Sequence, residues 1–300
     1  MSATNSKPAG SDGAAAAVLT PEQREQFETR GFVLIRGAFD GDAARARVAE
    51  ACRRAGYDLD APSTWKKPYV RLEAQPEPVA SFSPAAWEVA CALVGGADRI
   101  AGTPRIDVLA LNLRQGADEP FRPASPDSPG WHKDGWHFRH FLDSPEQGLL
   151  GIPLLTDVLP RGGATFLAAG SVALVARFLA AHPEGVLPDD FPWRDLLLEG
   201  GDSIEYIEAT GEAGDFYLCH PFLLHAVSQN VLRRPRAISN VLYELKAPLK
   251  LDRRADGAAP YSPVERAVLR GLGAADRYPF APTGARFKTP DNGPINRAYA

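Results

Sequence analysis

Short apolar segments separated by turn residues dominate the chain after about residue 104. They have the length and the β-branched and aromatic content of strands, and Gly, Pro and Asn residues separate them. Such a pattern is typical of a sandwich, a jelly roll or a barrel. The predicted strands are 105–114, 149–158, 164–168, 204–208, 215–219, 223–227 and 237–245, with one helix over about 172–182.

The N-terminal third is predicted to be mainly helical. A first helix begins after Thr20, because Thr20 and Gln23 match a capping box and Pro21 suits the first helical position. This helix should end near Gly31, before the buried strand 32–35. Apolar residues at helical spacing predict two more helices, over about 42–55 and 84–94.

One domain is expected over residues 18–300, because neither an internal repeat nor a change of composition divides them. Residues 1–17 are rich in Ala, Gly, Ser and Pro and lack a periodic apolar face, so we expect a disordered tail there. The fold class predicted from these elements is mainly β with flanking helices (α+β).

Composition favours the β interpretation, since 27 glycines and 27 prolines in 300 residues exceed the usual combined share of about 12%. The net charge of −4 provides no basic field for nucleic acid or an anionic membrane surface. We also expect no transmembrane helix and no signal peptide. Three scattered cysteines indicate a reducing compartment, so the predicted location is cytoplasmic.

His132 and Asp134 are the first candidates for chemistry. Side chains two residues apart on a strand share a face, so this imidazole and this carboxylate can point at one ion. They would supply two legs of the 2-His-1-carboxylate triad, which leaves coordination positions of non-haem Fe(II) open. The motif alone is weak and needs a distant histidine.

His225 is the better of two distant candidates for the third ligand. His220 and His225 are five residues apart, so on one strand they face opposite sides, and Pro221 indicates a bend beside His220. His137 and His140 follow the motif too closely to reach the same ion. They are expected to contact substrate, to support the ligands or to lie at the surface.

A predicted hairpin gives an independent indication. With a turn centred between Asn230 and Val231, His225 lies opposite Arg236, and their β-carbons are about 5 Å apart. A cation beside a metal ion requires an anion between them. A dicarboxylate that chelates iron at one end and is held by Arg236 at the other meets this requirement.

Together these motifs resemble the phytanoyl-CoA dioxygenase-like family of Fe(II)/2-oxoglutarate-dependent oxygenases. The resemblance extends over about 18–245 and implies a double-stranded β-helix, the cupin-like jelly roll, that uses Fe(II), 2-oxoglutarate and O2. The segments that carry it are His132-x-Asp134, Gly162–Thr165, Ala169–Ser171, Gly214-Asp215, His225, Asn230 and Arg236.

The resemblance also implies residue roles. His132, Asp134 and His225 match the iron ligands, and Arg236 matches the residue that binds the distal carboxylate of 2-oxoglutarate. Asn112 and Thr165 are further candidates for contact with this cosubstrate. Two positions depart from the family pattern: Val227 replaces a frequent serine, and Gly170-Ser171-Val172 replaces Gly-Ser-His.

The predicted function is oxidation of a small organic metabolite, by hydroxylation or desaturation, coupled to decarboxylation of 2-oxoglutarate to succinate. Asp134 disfavours a halogenase, in which Gly or Ala replaces the carboxylate. The alternatives are a cupin-like metal hydrolase or isomerase without 2-oxoglutarate, and a binding module without catalysis. The sequence does not indicate the oligomeric state. Residues 115–130 are a candidate lid, and Trp131 and Trp136 are candidate pocket walls.

Overall fold

The computed structural model describes residues 18–253 and 259–289. The predicted disordered tail, residues 1–17, lies outside the described residues. The helices of the described chain are α1 Pro21–Arg30, α2 Gly41–Arg54, α3 Val79–Phe82, α4 Pro84–Val94, α5 Ser171–Ala180, α6 Trp193–Gly200 and α7 Pro263–Gly271.

Helix α1 begins as its sequence predicts. The Thr20 side chain accepts a hydrogen bond from the Gln23 backbone NH at 3.2 Å, and the Gln23 side chain accepts one from the Thr20 backbone NH at 3.0 Å. Pro21 occupies the first helical position, where no backbone NH is needed. Gly31 ends the helix with a φ of 85°, which favours glycine.

The strands are short and mostly buried. They are β1 Phe32–Ile35, β2 Tyr69–Pro78, β3 Arg105–Asn112, β4 Leu149–Pro153, β5 Thr165–Ala169, β6 Glu205–Ala209, β7 Phe216–Cys219, β8 His225–Val227, β9 Arg236–Ile238 and β10 Val241–Tyr243. Every strand pair is antiparallel.

Early strands pair with late ones. The sheet orders are β1-β7-β4-β10, β2-β3-β9 and β6-β5-β8, and a Leu154–Ile238 bridge joins the first two sheets. Along the chain, β3 pairs with β9, His132 bridges to His225, β4 pairs with β7 and β5 pairs with β6, in the nested order of a chain wound as one long hairpin. This pairing is that of a jelly roll and confirms the predicted class, mainly β with flanking helices.

Helices cover the outer faces of the barrel. Helix α4 packs against β7, while α1 and α5 pack against α7, so these four helices form one layer with the large sheet. Helix α2 packs against β2, where Val48 and Cys52 join Leu72 and Leu111 in a second, smaller apolar cluster. The inner faces of the sheets are thereby left to form the barrel interior.

The predicted hairpin between β8 and β9 is wrong. In the structure His225 lies opposite Leu167 of β5, and Arg236 lies opposite Asn112 of β3. The segment 228–235 crosses from one sheet to another instead of turning back. Asn230 holds this crossing, because its buried Nδ2 donates to the backbone oxygens of Asn112, Leu113 and Arg234 at 2.8, 3.2 and 2.7 Å.

Other differences concern boundaries and missed elements. The predicted strand 237–245 forms two strands, β9 and β10, and the predicted strand 149–158 ends at Pro153. Strand β2 is not predicted because charged residues and prolines interrupt its apolar positions. Helices α6 and α7 are also missed. None of the described helices is both long and apolar enough to cross a membrane.

Replacing Asn230 by Ala should destabilise the fold by about 2–3 kcal/mol, because three backbone oxygens, two of them in buried hydrogen bonds, lose their donor. Chemical denaturation measures this change in the free energy of unfolding. Gln75→Ala is the control, since its side chain is exposed and should cost below about 0.5 kcal/mol. Equal stability of the two variants would contradict a structural role for the Asn230 amide.

Candidate metal centre

A backbone bridge brings two distant histidines together. His132 N donates to His225 O at 3.0 Å and His225 N donates to His132 O at 2.9 Å, which places the residues directly opposite each other. Their ring centroids are 4.3 Å apart. The Nε2 atoms of His132 and His225 lie 3.6 and 3.8 Å from Oδ1 of Asp134. The three ligand atoms all fall within 4.8 Å of one another.

The protein backbone fixes the orientation of both imidazoles. Nδ1 of His132 lies 2.7 Å from the Gly130 carbonyl oxygen, and Nδ1 of His225 lies 3.1 Å from that of Leu223. Since a carbonyl oxygen only accepts, each Nδ1 carries the hydrogen. Each Nε2 therefore faces Asp134 and can offer its lone pair to a metal ion bound there, which is the usual arrangement of histidine ligands at metal sites.

Asp134 is a buried carboxylate. Among the residues that the structure describes, neither of its oxygens has a hydrogen-bond partner, and Nε2 of His225 has none. Burial acts to raise the pKa of Asp134, but the His132 and His225 rings outweigh it and hold that pKa well below its usual range. An ionised, unpaired carboxylate is costly in a protein interior unless a cation binds it. Two imidazoles and one carboxylate suit Fe(II), so the residues present fit the ion.

Arg236 is a second buried charge in the same barrel. Its Nε donates to Gly163 O at 2.5 Å and its Nη1 donates to Ala110 O at 3.2 Å. Within residues 18–253 and 259–289, Arg236 forms no ion pair with an acidic side chain. Burial lowers the pKa of Arg236 to about 10, so the guanidinium is still charged at neutral pH. It therefore requires an anion that the described chain does not supply.

Three neighbouring strands place Tyr69, Asn112 and Arg236 in one row on the inner face. The phenol of Tyr69 interacts electrostatically with the guanidinium. Sequence analysis missed Tyr69 because strand β2 was not predicted. The Asn112 amide is engaged by the backbone, since Nδ2 donates to Ser228 O at 3.1 Å and Oδ1 accepts from Gln115 N at 3.0 Å.

Thr165 lies directly opposite Val227 in the pairing of β5 with β8. Residues two apart on a strand share a face, so Thr165 and Val227 lie on the same side of the sheet as His225. Thr165 therefore brings a hydroxyl group beside the position where Val227 replaces the serine of the family pattern.

The remaining histidines of the motif point elsewhere. His140 is fully enclosed, and its Nδ1 lies 2.5 Å from Nζ of Lys133. Burial lowers the pKa of Lys133 to about 7 and that of His140 well below its usual value. His137 is also buried, and its Nε2 has no hydrogen-bond partner in the described part of the chain. Arg139 donates to Ala285 O at 3.4 Å, outside the metal cluster.

The two tryptophans of the motif differ in environment. Trp131 is buried against Phe166 and Tyr206, at centroid distances of 6.4 and 5.6 Å, on the sheet face opposite to His225. Its Nε1 donates to Ser125 O at 2.8 Å, which attaches the loop 115–130 to the barrel. Trp136 is 40% exposed. Trp131 is therefore a packing residue, and Trp136 is open to ligands.

No protein-family model matches the sequence, and no curated protein matches it. Among solved structures, the non-heme alpha ketoglutarate dependent carbocyclase SnoK from nogalamycin biosynthesis is 17% identical, with a TM-score of 0.47 over 75% of this chain and 84% of SnoK. EctD from S. alaskensis with bound Fe is 20% identical, with a TM-score of 0.46 over 79% and 82%. The epimerase SnoN is 18% identical, with a TM-score of 0.43 over 90% and 96%.

Proposed function

We propose that this protein is an Fe(II)- and 2-oxoglutarate-dependent oxygenase that acts on a small organic molecule with O2 as the oxidant. The observation that carries the proposal is the pair of uncompensated charges in one barrel. Asp134, between two oriented imidazoles, needs a cation, and Arg236 needs an anion. Iron and a dicarboxylate satisfy both needs together.

His132, Asp134 and His225 would hold the iron. With three protein ligands, coordination positions are left for a bidentate 2-oxo acid and for oxygen. The bound iron supplies the oxidising chemistry, in which 2-oxoglutarate is decarboxylated to succinate. The chain itself orients the Nε2 lone pairs through the Gly130 and Leu223 carbonyls.

Arg236 would bind the distal carboxylate of 2-oxoglutarate. Its Nε and Nη1 are fixed by the carbonyls of Gly163 and Ala110, so the guanidinium is held in one orientation before the anion binds. A rigid, charged donor recognises a carboxylate with little loss of conformational entropy. A cupin-like hydrolase or isomerase does not need this buried cation, so Arg236 favours the oxygenase over that alternative.

Thr165 would contribute a further contact to the cosubstrate. The position opposite it is Val227, which cannot donate a hydrogen bond, whereas the Thr165 hydroxyl can. In this proposal Thr165 of β5 supplies the hydroxyl that the family pattern places on β8, at the position of Val227. Hydroxylation, rather than desaturation, is the simplest outcome for a substrate held beside iron, and we propose it as the reaction.

Anaerobic titration with Fe(II) and then 2-oxoglutarate should produce the weak visible charge-transfer band of the chelate. Arg236→Met should raise the Kd for 2-oxoglutarate at least about tenfold, because a charged hydrogen bond to the carboxylate is lost. Arg161→Met is the control, since this exposed arginine lies outside the barrel. Iron binding without any band in the wild type would contradict the oxygenase and favour a metal enzyme without 2-oxoglutarate.

Asp134→Asn should abolish stabilisation by metal without unfolding the apoprotein. In the wild type, Fe(II) or Mn(II) at about 100 times Kd adds about 2.7 kcal/mol to the free energy of unfolding. Differential scanning calorimetry under argon measures this as a rise in Tm. Asp107→Asn, at an exposed carboxylate, should keep the full rise. A metal-dependent rise that persists in Asp134→Asn would remove Asp134 from the ligand set.

Thr165→Val should weaken 2-oxoglutarate binding several-fold while leaving Fe(II) affinity unchanged. The variant is nearly isosteric and loses only the hydroxyl, so the expected cost is one hydrogen bond, about 1 kcal/mol. The same anaerobic band gives the Kd. Thr165→Ser is the matched control, because it keeps the hydroxyl and should retain most of the affinity. Unchanged affinity in Thr165→Val would exclude this contact.

A further inference from the structure

A polar cluster lies at the barrel mouth on the side of the metal centre away from Arg236. It consists of His137, Glu244 and Lys288, and we name it the mouth cluster. Nζ of Lys288 lies 2.6 Å from Oε1 of Glu244, and the two side chains are about one third exposed. The pair is therefore accessible to a ligand. None of these three residues would hold the iron or 2-oxoglutarate in the proposed function.

The strand register places Glu244 on the inner face. The pairs Ile238–Leu154, Val241–Gly151 and Leu242–Leu150 keep one register from β9 to β10. Alternate residues from Arg236 onwards therefore share the inner face, and Glu244 is the last of them. Tyr243 points outwards and is fully buried, with the Cys91 thiol of α4 among its neighbours.

The same register places the metal centre between Arg236 and Glu244. Leu242 pairs with Leu150, which pairs with Cys219. Burial and, to a smaller extent, the charge of the Asp134 carboxylate raise the pKa of the Cys219 thiol, so this carboxylate acts on the level of Cys219 in the sheet. Glu244 lies two residues beyond Leu242, so it is about 7 Å further towards the mouth. Arg236 lies in the opposite direction.

The C-terminal segment supplies the other half of the mouth cluster. Residues 283–289 run alongside the chain that follows Asp134: Arg139 N donates to Phe287 O at 2.9 Å, and Thr289 N donates to His137 O at 2.8 Å. Phe138 and Lys288 form an antiparallel bridge. These contacts hold the backbone of Lys288 opposite Phe138 and that of Thr289 opposite His137, so a segment to which the sequence assigned no role lines this end of the barrel.

His137 gives the second indication that the mouth cluster binds a ligand. It is 3% exposed, and within residues 18–253 and 259–289 its Nε2 has no hydrogen-bond partner. Burial is the main cause that lowers the pKa of His137, Lys288 lowers it further, and Glu244 and Asp134 act to raise it. A buried imidazole nitrogen without a partner is costly, and a ligand hydroxyl would satisfy it.

From this geometry we infer that the mouth cluster binds a neutral, hydroxyl-bearing part of the substrate, such as a sugar-like ring. Glu244 and Lys288 have opposite charges that cancel. An anionic ligand is therefore repelled by the carboxylate of Glu244, and a cationic ligand is repelled by the ammonium group of Lys288. A hydroxyl both donates and accepts, so it can bind both members of the pair and the free nitrogen of His137 without adding charge. The inference deepens the proposed oxygenase function and rests on it.

Three related probes test this selectivity: methyl α-D-glucopyranoside, glucuronate and glucosamine, which are neutral, anionic and cationic at pH 6.5. Saturation-transfer NMR on the full chain without added metal measures their binding independently of iron and turnover. We expect the methyl glucoside to bind most tightly. Absence of methyl glucoside binding, or tighter binding of either charged sugar, overturns the inference.

Charge-changing variants test the residues. Glu244→Gln leaves Lys288 unbalanced and should shift the preference about tenfold towards glucuronate. Lys288→Met leaves Glu244 unbalanced and should shift it similarly towards glucosamine. Arg286→Met is the matched control, because Arg286 joins the same C-terminal segment to Asp143 at 2.6 Å but lies outside the mouth cluster. An unchanged order of affinities in the first two variants would overturn the inference.

A parallel titration separates this inference from the proposed function. Glu244→Gln and Lys288→Met should keep the Fe(II)·2-oxoglutarate band of the wild type, since neither residue lies near Arg236. A band together with the wrong sugar selectivity rejects only the mouth cluster. Loss of the band in the wild type rejects the oxygenase, whatever the sugars show.

Discussion

Two buried charges of opposite sign, on Asp134 and Arg236, set the requirements for the rest of this structure. They share one barrel but do not pair with each other, so the fold must hold both apart in a desolvated interior. The backbone carbonyls of Gly163 and Ala110 hold the guanidinium, and the His132 and His225 rings keep the carboxylate ionised. This separation costs stability in the apoprotein, and it prepares a space for a cation and an anion in contact.

That His132, Asp134 and His225 lie together was predictable from the sequence for a simple reason. His132 and Asp134 are two residues apart on an extended segment, so local geometry alone puts them on one face. Selecting His225 over His220 needed only the alternation of a strand and the bend indicated by Pro221. The start of helix α1 was predictable from equally local signals, since Thr20, Pro21 and Gln23 define it. Such features depend on residues only a few positions apart.

Pairing between distant strands was not predictable in the same way. The expected hairpin joined β8 to β9 because they are neighbours in sequence, whereas the jelly roll assigns each a partner from another part of the chain. The face of the strand on which Arg236 lies was nevertheless predicted correctly, because it follows from the alternation of side chains. Only the partner strand was predicted wrongly. Tyr69 and Lys288 were missed because their segments carry no clear period, and only contacts across the fold reveal their positions.

The pairing of early strands with late ones also governs how the chain is made. Strand β1 has no partner until β7 is made more than 180 residues later, and β3, which can pair at once with β2, waits more than 120 residues for its second partner, β9. His132 likewise has no bridge partner until His225 has been made. The N-terminal half must emerge as helices and unpaired strand edges, which are prone to aggregation. The barrel and its metal site therefore close together, only after β8 and β9 have been made, as one cooperative event with a high contact order.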